Sequence, residues 1–180
     1  MYIQTEQTPN PNSLKFIPEK KVSLGGPIEI KKEDKAESYL LRDILDLDGV
    51  ESVFLSDDYL SVNKSEDKNW NDLQHIIISL INEFYQDGNE FILDSQKRKP
   101  MDENLQDIEK RIIKVLETKV RPAVSRDGGD IKFKDFKNGV VIVELKGSCS
   151  GCPSSTITLK KGVQNLLCHY IPEVKQVEAV

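Results

Sequence analysis

Hydrophobic positions along this chain follow two rhythms, one alternating and one helical, and the rhythm changes at recognisable turn residues. Tyr2-Ile3-Gln4-Thr5 and Ser13-Leu14-Lys15-Phe16-Ile17 read as short strands. The two closely spaced prolines of Thr8-Pro9-Asn10-Pro11-Asn12 exclude a helix between them. After a break at Gly25-Gly26-Pro27, residues 36–47 place Leu40, Leu41, Ile44, Leu45 and Leu47 on one helical face. Val50 to Leu55 and Tyr59 to Val62 read as strands joined across Ser56-Asp57-Asp58. Trp70 to Tyr85 forms an amphipathic helix carrying Leu73, Ile76, Ile77, Leu80, Ile81 and Phe84. Strands flanking two helices predict an α+β domain over residues 1–93.

The pattern then lapses. Residues 94–103 include Lys97-Arg98-Lys99-Pro100 and are charged and poor in apolar residues, the character of an interdomain linker. From 104 to 120 helical spacing returns through Leu105, Ile108, Ile112, Val115 and Leu116, and Arg121-Pro122 marks its end or a kink. Asp127-Gly128-Gly129-Asp130 reads as a tight turn. Ile131 to Phe136 and Val140 to Leu145 form a hairpin, with Asn138-Gly139 as the turn signal. A helix from Pro153 to about His169 and a strand over Glu173 to Glu178 complete an α-β-β-α-β order. The second domain, 104–180, is therefore a three-stranded sheet covered by two helices. The fold class expected is α+β, in two small domains.

Composition sharpens this picture. Of the 180 residues 38% are hydrophobic and 31% charged, as in a soluble globular protein. No apolar run approaches the length that spans a bilayer. The first residues lack the pattern of a signal or transit peptide, so the expected location is the cytosol, or an organelle if a presequence has been removed. Residues 1–93 hold 9 Lys/Arg against 18 Asp/Glu, and residues 104–180 hold 13 against 9. Opposite signs fit two domains with different partners, or halves that attract each other. The basic half is too weakly charged, and too poor in aromatics, for a nucleic-acid partner. Three cysteines, two of them close together, do not make a secreted disulfide framework.

Those two cysteines carry the chemistry. They lie in Gly147-Ser148-Cys149-Ser150-Gly151-Cys152-Pro153, between a strand and a helix. Flanking glycines let the loop turn both sulfurs the same way. Pro153 suits a first helical turn, and the positive helix end beside Cys152 favours its thiolate. Cysteines in a C-x-x-C pair can serve a redox dithiol, half a zinc site or half an iron–sulfur site. A merely structural pair fits poorly, because inert cysteines usually hide among apolar neighbours and this loop is polar. A four-thiolate site needs two more ligands. Cys168 lies far along the same helix, on the order of 24 Å from Cys152, and reads as a small core residue. His169 is excluded for the same reason, and His75 belongs to the first domain. The remaining ligands must come from a second chain, and a half-built site suits a carrier better than an electron-transfer protein. Lys146, Lys160, Lys161, Arg121 and Arg126 could offset the charge of such a site. Asp127 and Asp130 read as turn residues bonding to backbone rather than as an acid pair.

Arg121-Pro122, Asp127-Gly128-Gly129-Asp130-Ile131, the loop from Gly147 through Thr156, and Ile171-Pro172-Glu173-Val174 together resemble the NifU C-terminal-like domain. Ile3-Gln4-Thr5-Glu6, Thr8-Pro9-Asn10-Pro11-Asn12 and Leu14-Lys15-Phe16 resemble the Nfu N-terminal domain. The order matches the Nfu-type iron–sulfur cluster scaffold proteins over nearly the whole chain. The resemblance implies a carrier, not an enzyme. It would receive a cluster, usually [4Fe-4S] with [2Fe-2S] as the other type, from upstream cluster-assembly proteins and deliver it to apo iron–sulfur target proteins. Cys149 and Cys152 map onto the cluster ligands, two from each chain of a homodimer formed on cluster binding. Nucleic acid and membrane are not expected partners. The alternative is a thiol–disulfide oxidoreductase with Cys149 as nucleophile and Cys152 as resolving thiol, although α-β-β-α-β lacks the β-α-β start of a thioredoxin-like fold. A zinc-bridged structural dimer is a third reading.

Overall fold

The computed structural model describes residues 1–90, 105–150 and 153–180, apart from the side chain of Ser155. The expected linker, 94–103, lies outside the described residues, as does Asn104. The chain divides into two compact α+β units, Met1–Lys97 and Arg98–Val180.

In the first unit, strands β1 (Ile3–Gln7), β2 (Ser13–Pro18), β3 (Ile28–Lys31), β4 (Val50–Leu55) and β5 (Leu60–Lys64) form one antiparallel sheet, ordered β1-β2-β5-β4-β3. Helices α1 (Tyr39–Asp46) and α2 (Trp70–Gln86) cover one face. Leu14, Phe16, Val53, Leu60 and Val62 pack there against Leu40, Leu41 and Ile44 of α1 and Leu73, Ile77, Ile81 and Phe84 of α2. Ile76 does not join this core. It is 46% exposed, because Leu73, Ile77, Ile81 and Phe84 already define the buried stripe at helical spacing. β3 has no counterpart in the sequence reading: four residues after a Gly-Gly-Pro break are too short to show a period.

The proline-rich β1–β2 connection is pinned by side chains. Asn10, 2% exposed, accepts from the Asn12 backbone N–H at 2.9 Å through its side-chain oxygen. Trp70 Nε1 donates to the Pro11 carbonyl at 3.0 Å, and Lys64 Nζ donates to Asn12 Oδ1 at 3.1 Å. Asn69 caps α2 by accepting from the Asn71 N–H.

The second unit begins with α3 (Asp107–Val115), opened by a capping box between Gln106 and Glu109. A π-helical turn over Leu116–Val120 leads into α4 (Arg121–Arg126). Pro122 therefore does not stop the helical path. It sits at the start of α4, where a missing N–H is tolerated, and the wider π turn before it absorbs the change in hydrogen bonding. β6 (Gly129–Lys137) and β7 (Val140–Gly147) pair antiparallel. Asn138 and Gly139 both take positive φ, 52° and 81°, as a two-residue type I′ hairpin requires. α5 (Pro153–Tyr170) then crosses to β8 (Gln176–Ala179), which adds parallel to β7 in the order β6-β7-β8. This is the expected α-β-β-α-β order, with α3 and α4 joined through the π turn. Ile112, Leu116, Val141, Val143, Val163, Leu167 and Val177 make the core. No helix among the described residues is long and apolar enough to cross a membrane.

Candidate functional site: a cysteine loop over a glycine turn

Two backbone turns meet where β7 runs out. Gly129 opens β6 directly opposite Gly147, the last residue of β7. Gly128 has φ +85° and Gly147 φ +67°, conformations that side-chain-bearing residues rarely adopt. The Asp127-Gly128-Gly129-Asp130 turn and the cysteine loop are thereby stacked against each other. Ser148 ties them together: its backbone N–H donates to the Gly128 carbonyl at 3.2 Å, and its hydroxyl donates to the Asp127 carbonyl. The Ser150 N–H and hydroxyl both donate to the Gly147 carbonyl, at 3.1 and 2.9 Å. From the far side, the Thr156 hydroxyl on α5 donates to the Cys149 carbonyl at 3.2 Å.

The Cys149 side chain fills the space that Gly129 leaves open. A methyl group at Gly129 would lie 2.5 Å from Cys149 Sγ and 2.6 Å from the Lys146 carbonyl oxygen. Cys149 is 7% exposed and belongs to the apolar core of its unit. The polar composition of the loop does not anticipate this, because the serines spend their polarity on backbone carbonyls while the sulfur turns inward. Burial pushes the Cys149 thiol up to about 11; the Ser148 hydroxyl opposes the shift, and Asp127 and Asp130 add to it. Gly151 and Cys152 lie outside the described residues, so the thiolate expected at Cys152 from the helix end remains a sequence expectation.

In the ligand-free chain, Cys149 is expected to react slowly with iodoacetamide at neutral pH. Its rate should climb only as pH approaches about 11, against an ordinary thiol value of 9.0 in the unfolded chain. The folded state keeps this proton over that window while the unfolded state releases it. Folding stability should therefore fall as pH rises through the window, by about 2 kcal/mol in all. Denaturation midpoints between pH 8 and about 11, compared for the parent and Cys149→Ala, isolate the contribution.

Asp130 is the residue beside the loop whose partner sequence reasoning misplaced. Its carboxylate does not bond to the turn backbone. It accepts from Arg121 instead, Oδ1 from Nε at 2.8 Å and Oδ2 from an Nη at 3.3 Å. Asp130 is 10% exposed on its side chain and Arg121 40%. Arg121 thus cancels a negative charge buried beside Cys149 instead of standing free near the loop. Nine residues separate the two in sequence, across a helix and a turn, and no local spacing announces the pair. Replacing Arg121 by Leu should cost about 1–3 kcal/mol, measured by urea denaturation, because a nearly buried carboxylate loses its charged partner. Adding Asp130→Asn should recover part of that loss. Lys146 is also engaged, 3.9 Å from Glu144, while Arg126 and Lys161 are exposed.

Cys168 does not approach this site. It lies near the opposite end of α5, about 22 Å along the axis from Pro153, partly buried, with Sγ 3.1 Å from the Val174 carbonyl oxygen. His169 and His75 are exposed. Among the described residues, no group of three or more His, Cys, Asp and Glu side chains could hold a metal ion.

Fold and site together define a two-unit α+β protein with a C-x-x-C pair between β7 and α5. The family model described as "Scaffold protein Nfu/NifU N terminal" matches residues 3–88, and that of the "NifU-like domain" matches residues 112–178. The chain is 41% identical over 185 residues to "NifU-like protein 4, mitochondrial" of Arabidopsis thaliana, covering 99% of this chain and 65% of that protein. It is 42% identical over 183 residues to "NFU1 iron-sulfur cluster scaffold homolog, mitochondrial" of Homo sapiens, covering 100% and 72%. The chain thus spans about two thirds of these relatives' length. A solved NifU-like protein from Saccharomyces cerevisiae is 34% identical over 50% of this chain and 82% of its own, with a TM-score of 0.47. The chain belongs to the Nfu-type, NifU-like scaffold family.

Proposed function

We propose that the chain carries an iron–sulfur cluster as cargo, binding it through Cys149 and Cys152 and releasing it to apo-proteins. The observation that carries this reading is the seat of Cys149 on the Gly128-Gly129 turn, at the strand–helix junction that bears the C-x-x-C pair. A relative identical at 42% of positions is named an iron–sulfur cluster scaffold homologue. One chain offers two thiolates, and a [4Fe-4S] cargo takes four, so two chains share it. A homodimer forms on loading and parts on delivery, with upstream assembly proteins as donors. The thiols must give up their protons on loading, so cargo affinity rises with pH. Between deliveries, burial holds Cys149 as a protonated, unreactive thiol. Arg121 keeps Asp130 from adding a naked negative charge beside an anionic cargo. The compartment proposed is a reducing one, the bacterial cytoplasm or the mitochondrial matrix.

Thiol–disulfide exchange fits less well. A catalytic dithiol needs an accessible nucleophile of low pKa, and Cys149 is buried with its thiol pushed upward. Anaerobic reconstitution with ferrous iron and sulfide tests the proposal. The expected product holds about four irons and four sulfides per two chains and activates an apo-enzyme that needs a [4Fe-4S] cluster. About two irons per pair of chains would assign [2Fe-2S] cargo instead. A chain that takes up no iron and reduces disulfides catalytically would overturn the carrier reading.

A further inference from the structure

The two helices of the first unit leave an apolar seam open to solvent. They run antiparallel. The Tyr39 ring at the start of α1 stands 5.4 Å from the Phe84 ring near the end of α2, and Asp48, past the end of α1, pairs with Lys68, ahead of α2, at 2.5 Å. Tyr39, Asp43 and Asp46 recur at helical spacing on α1, and Ile76, Leu80, Glu83 and Asp87 do so along α2 and its C-cap. Ile76 is 46% exposed and Tyr39 37%, and Leu80 is half-buried. Carboxylates border this strip. Desolvation, then Asp87, Glu83 and Asp43, raise the Tyr39 hydroxyl above its ordinary value, so acids from both helices converge on one ring. Arg42 is the single Lys or Arg in either helix. Asp46 ends α1, and Glu83 and Asp87 lie at the end of α2, where negative charge opposes the helix dipole. Among the described residues, Asp43, Asp46, Glu83 and Asp87 have no ion-pair partner. Unpaired acids at those ends weaken both helices unless a cation arrives from outside.

We propose that the α1–α2 seam docks a basic amphipathic helix of a partner protein. Apolar side chains of that helix cover Ile76, Leu80 and Tyr39, and its Lys or Arg groups meet the carboxylates on the two rims. Laying an apolar helix face into such a groove is a common mode of peptide recognition. Charge selects the occupant. A second copy docked here about a two-fold axis would set these acids against themselves, and nucleic acid or an anionic membrane would be repelled. A basic partner supplies the cations that both helix ends lack, and complementary charge speeds its encounter. With eight residues, α1 limits the seam to about 12 Å, so two or three turns of the partner engage. Contacts that small are transient ones. The inference stands apart from the carrier reading, since it concerns the first unit and the C-x-x-C pair belongs to the second.

The test uses the full chain without cargo and a fluorescein-labelled synthetic helix of Leu and Lys, with leucines at i, i+3, i+4 and i+7. Fluorescence anisotropy should show saturable binding that weakens as salt is added. Ile76→Ala should weaken it by about tenfold through lost apolar contact. The double variant Asp43→Lys with Glu83→Lys should weaken it by about tenfold or more through repulsion. Thermal melts of both variants should stay close to the parent's, because all three side chains are exposed. Asp58→Lys makes the same charge change at an exposed position in the β4–β5 turn and should leave binding unchanged. A peptide with serine at the leucine positions should bind about tenfold more weakly or worse. If Asp58→Lys weakens binding as much as the double variant, or Ile76→Ala binds like the parent, the peptide is held by diffuse charge and the seam is not a docking site. If the chain instead self-associates in sedimentation velocity and Ile76→Ala abolishes it, the occupant is a second copy and the proposal falls.

Discussion

Cys149→Ala should abolish iron loading in the reconstituted chain, while Cys168→Ala should load like the parent. The contrast is informative because both side chains are partly or wholly buried and similar in size. Removing the Cys149 sulfur deletes one atom from a packed site, at a folding cost of about 1 kcal/mol. Alanine is preferred to serine for this purpose, since a hydroxyl left among the apolar neighbours of Cys149 adds a desolvation penalty of roughly 1–3 kcal/mol. The variant should therefore remain folded in a thermal melt and still hold no iron, which separates loss of a ligand from loss of structure. Cys152→Ala should behave in the same way if both thiolates serve the cargo. Retention of the parent's iron content by Cys149→Ala would remove the basis of the proposed function.

Gly129→Ala should produce the second-largest effect, on stability and loading together. The added methyl meets two obstacles at once, the Cys149 sulfur at 2.5 Å and the Lys146 carbonyl oxygen at 2.6 Å. The first could rotate away. The second is backbone of β7 at the point where Gly129 pairs with Gly147, and it cannot retreat without opening the strand pair. Overpacking of this kind costs about 1–3 kcal/mol, and for a unit of this size each kcal/mol lowers Tm by roughly 4–8 °C. If the sulfur is displaced as well, the seat of Cys149 is lost and iron uptake should fall with stability. Gly162→Ala is the control, since a methyl there meets nothing within 4 Å and should leave Tm unchanged or slightly raised. A Gly129→Ala chain as stable as Gly162→Ala would show that the close approach of turn and sulfur does not hold in solution.

These two residues also show what could be read in advance. The C-x-x-C pair, its strand and its helix were legible because each signal is local: a β-type run, two glycines, a proline and a helical apolar stripe. The Asn138-Gly139 hairpin was legible for the same reason, since positive φ at both positions is a property of those residue types. The paired glycines of the Asp127–Asp130 turn could be recognised as a place of close backbone approach. What approaches them could not, because Cys149 lies twenty positions from Gly129 and meets it only once β6 and β7 are in register.

The amino-acid sequence by itself determined the two α+β units, the α-β-β-α-β order of the second, the residues proposed as ligands and the family resemblance. All of these rest on periodicity and on motifs confined to a few neighbouring residues. Tertiary structure alone decided which polar groups are buried and with whom. It turned the sulfur of a polar loop into the core, joined Arg121 to Asp130, carried the helical path through Pro122 by way of a π turn, and left Ile76 and Ile157 in solvent. The physical reason is the same in each case: burial and pairing depend on what the rest of the chain brings to a side chain, and that partner is distant in sequence and absent from any local pattern.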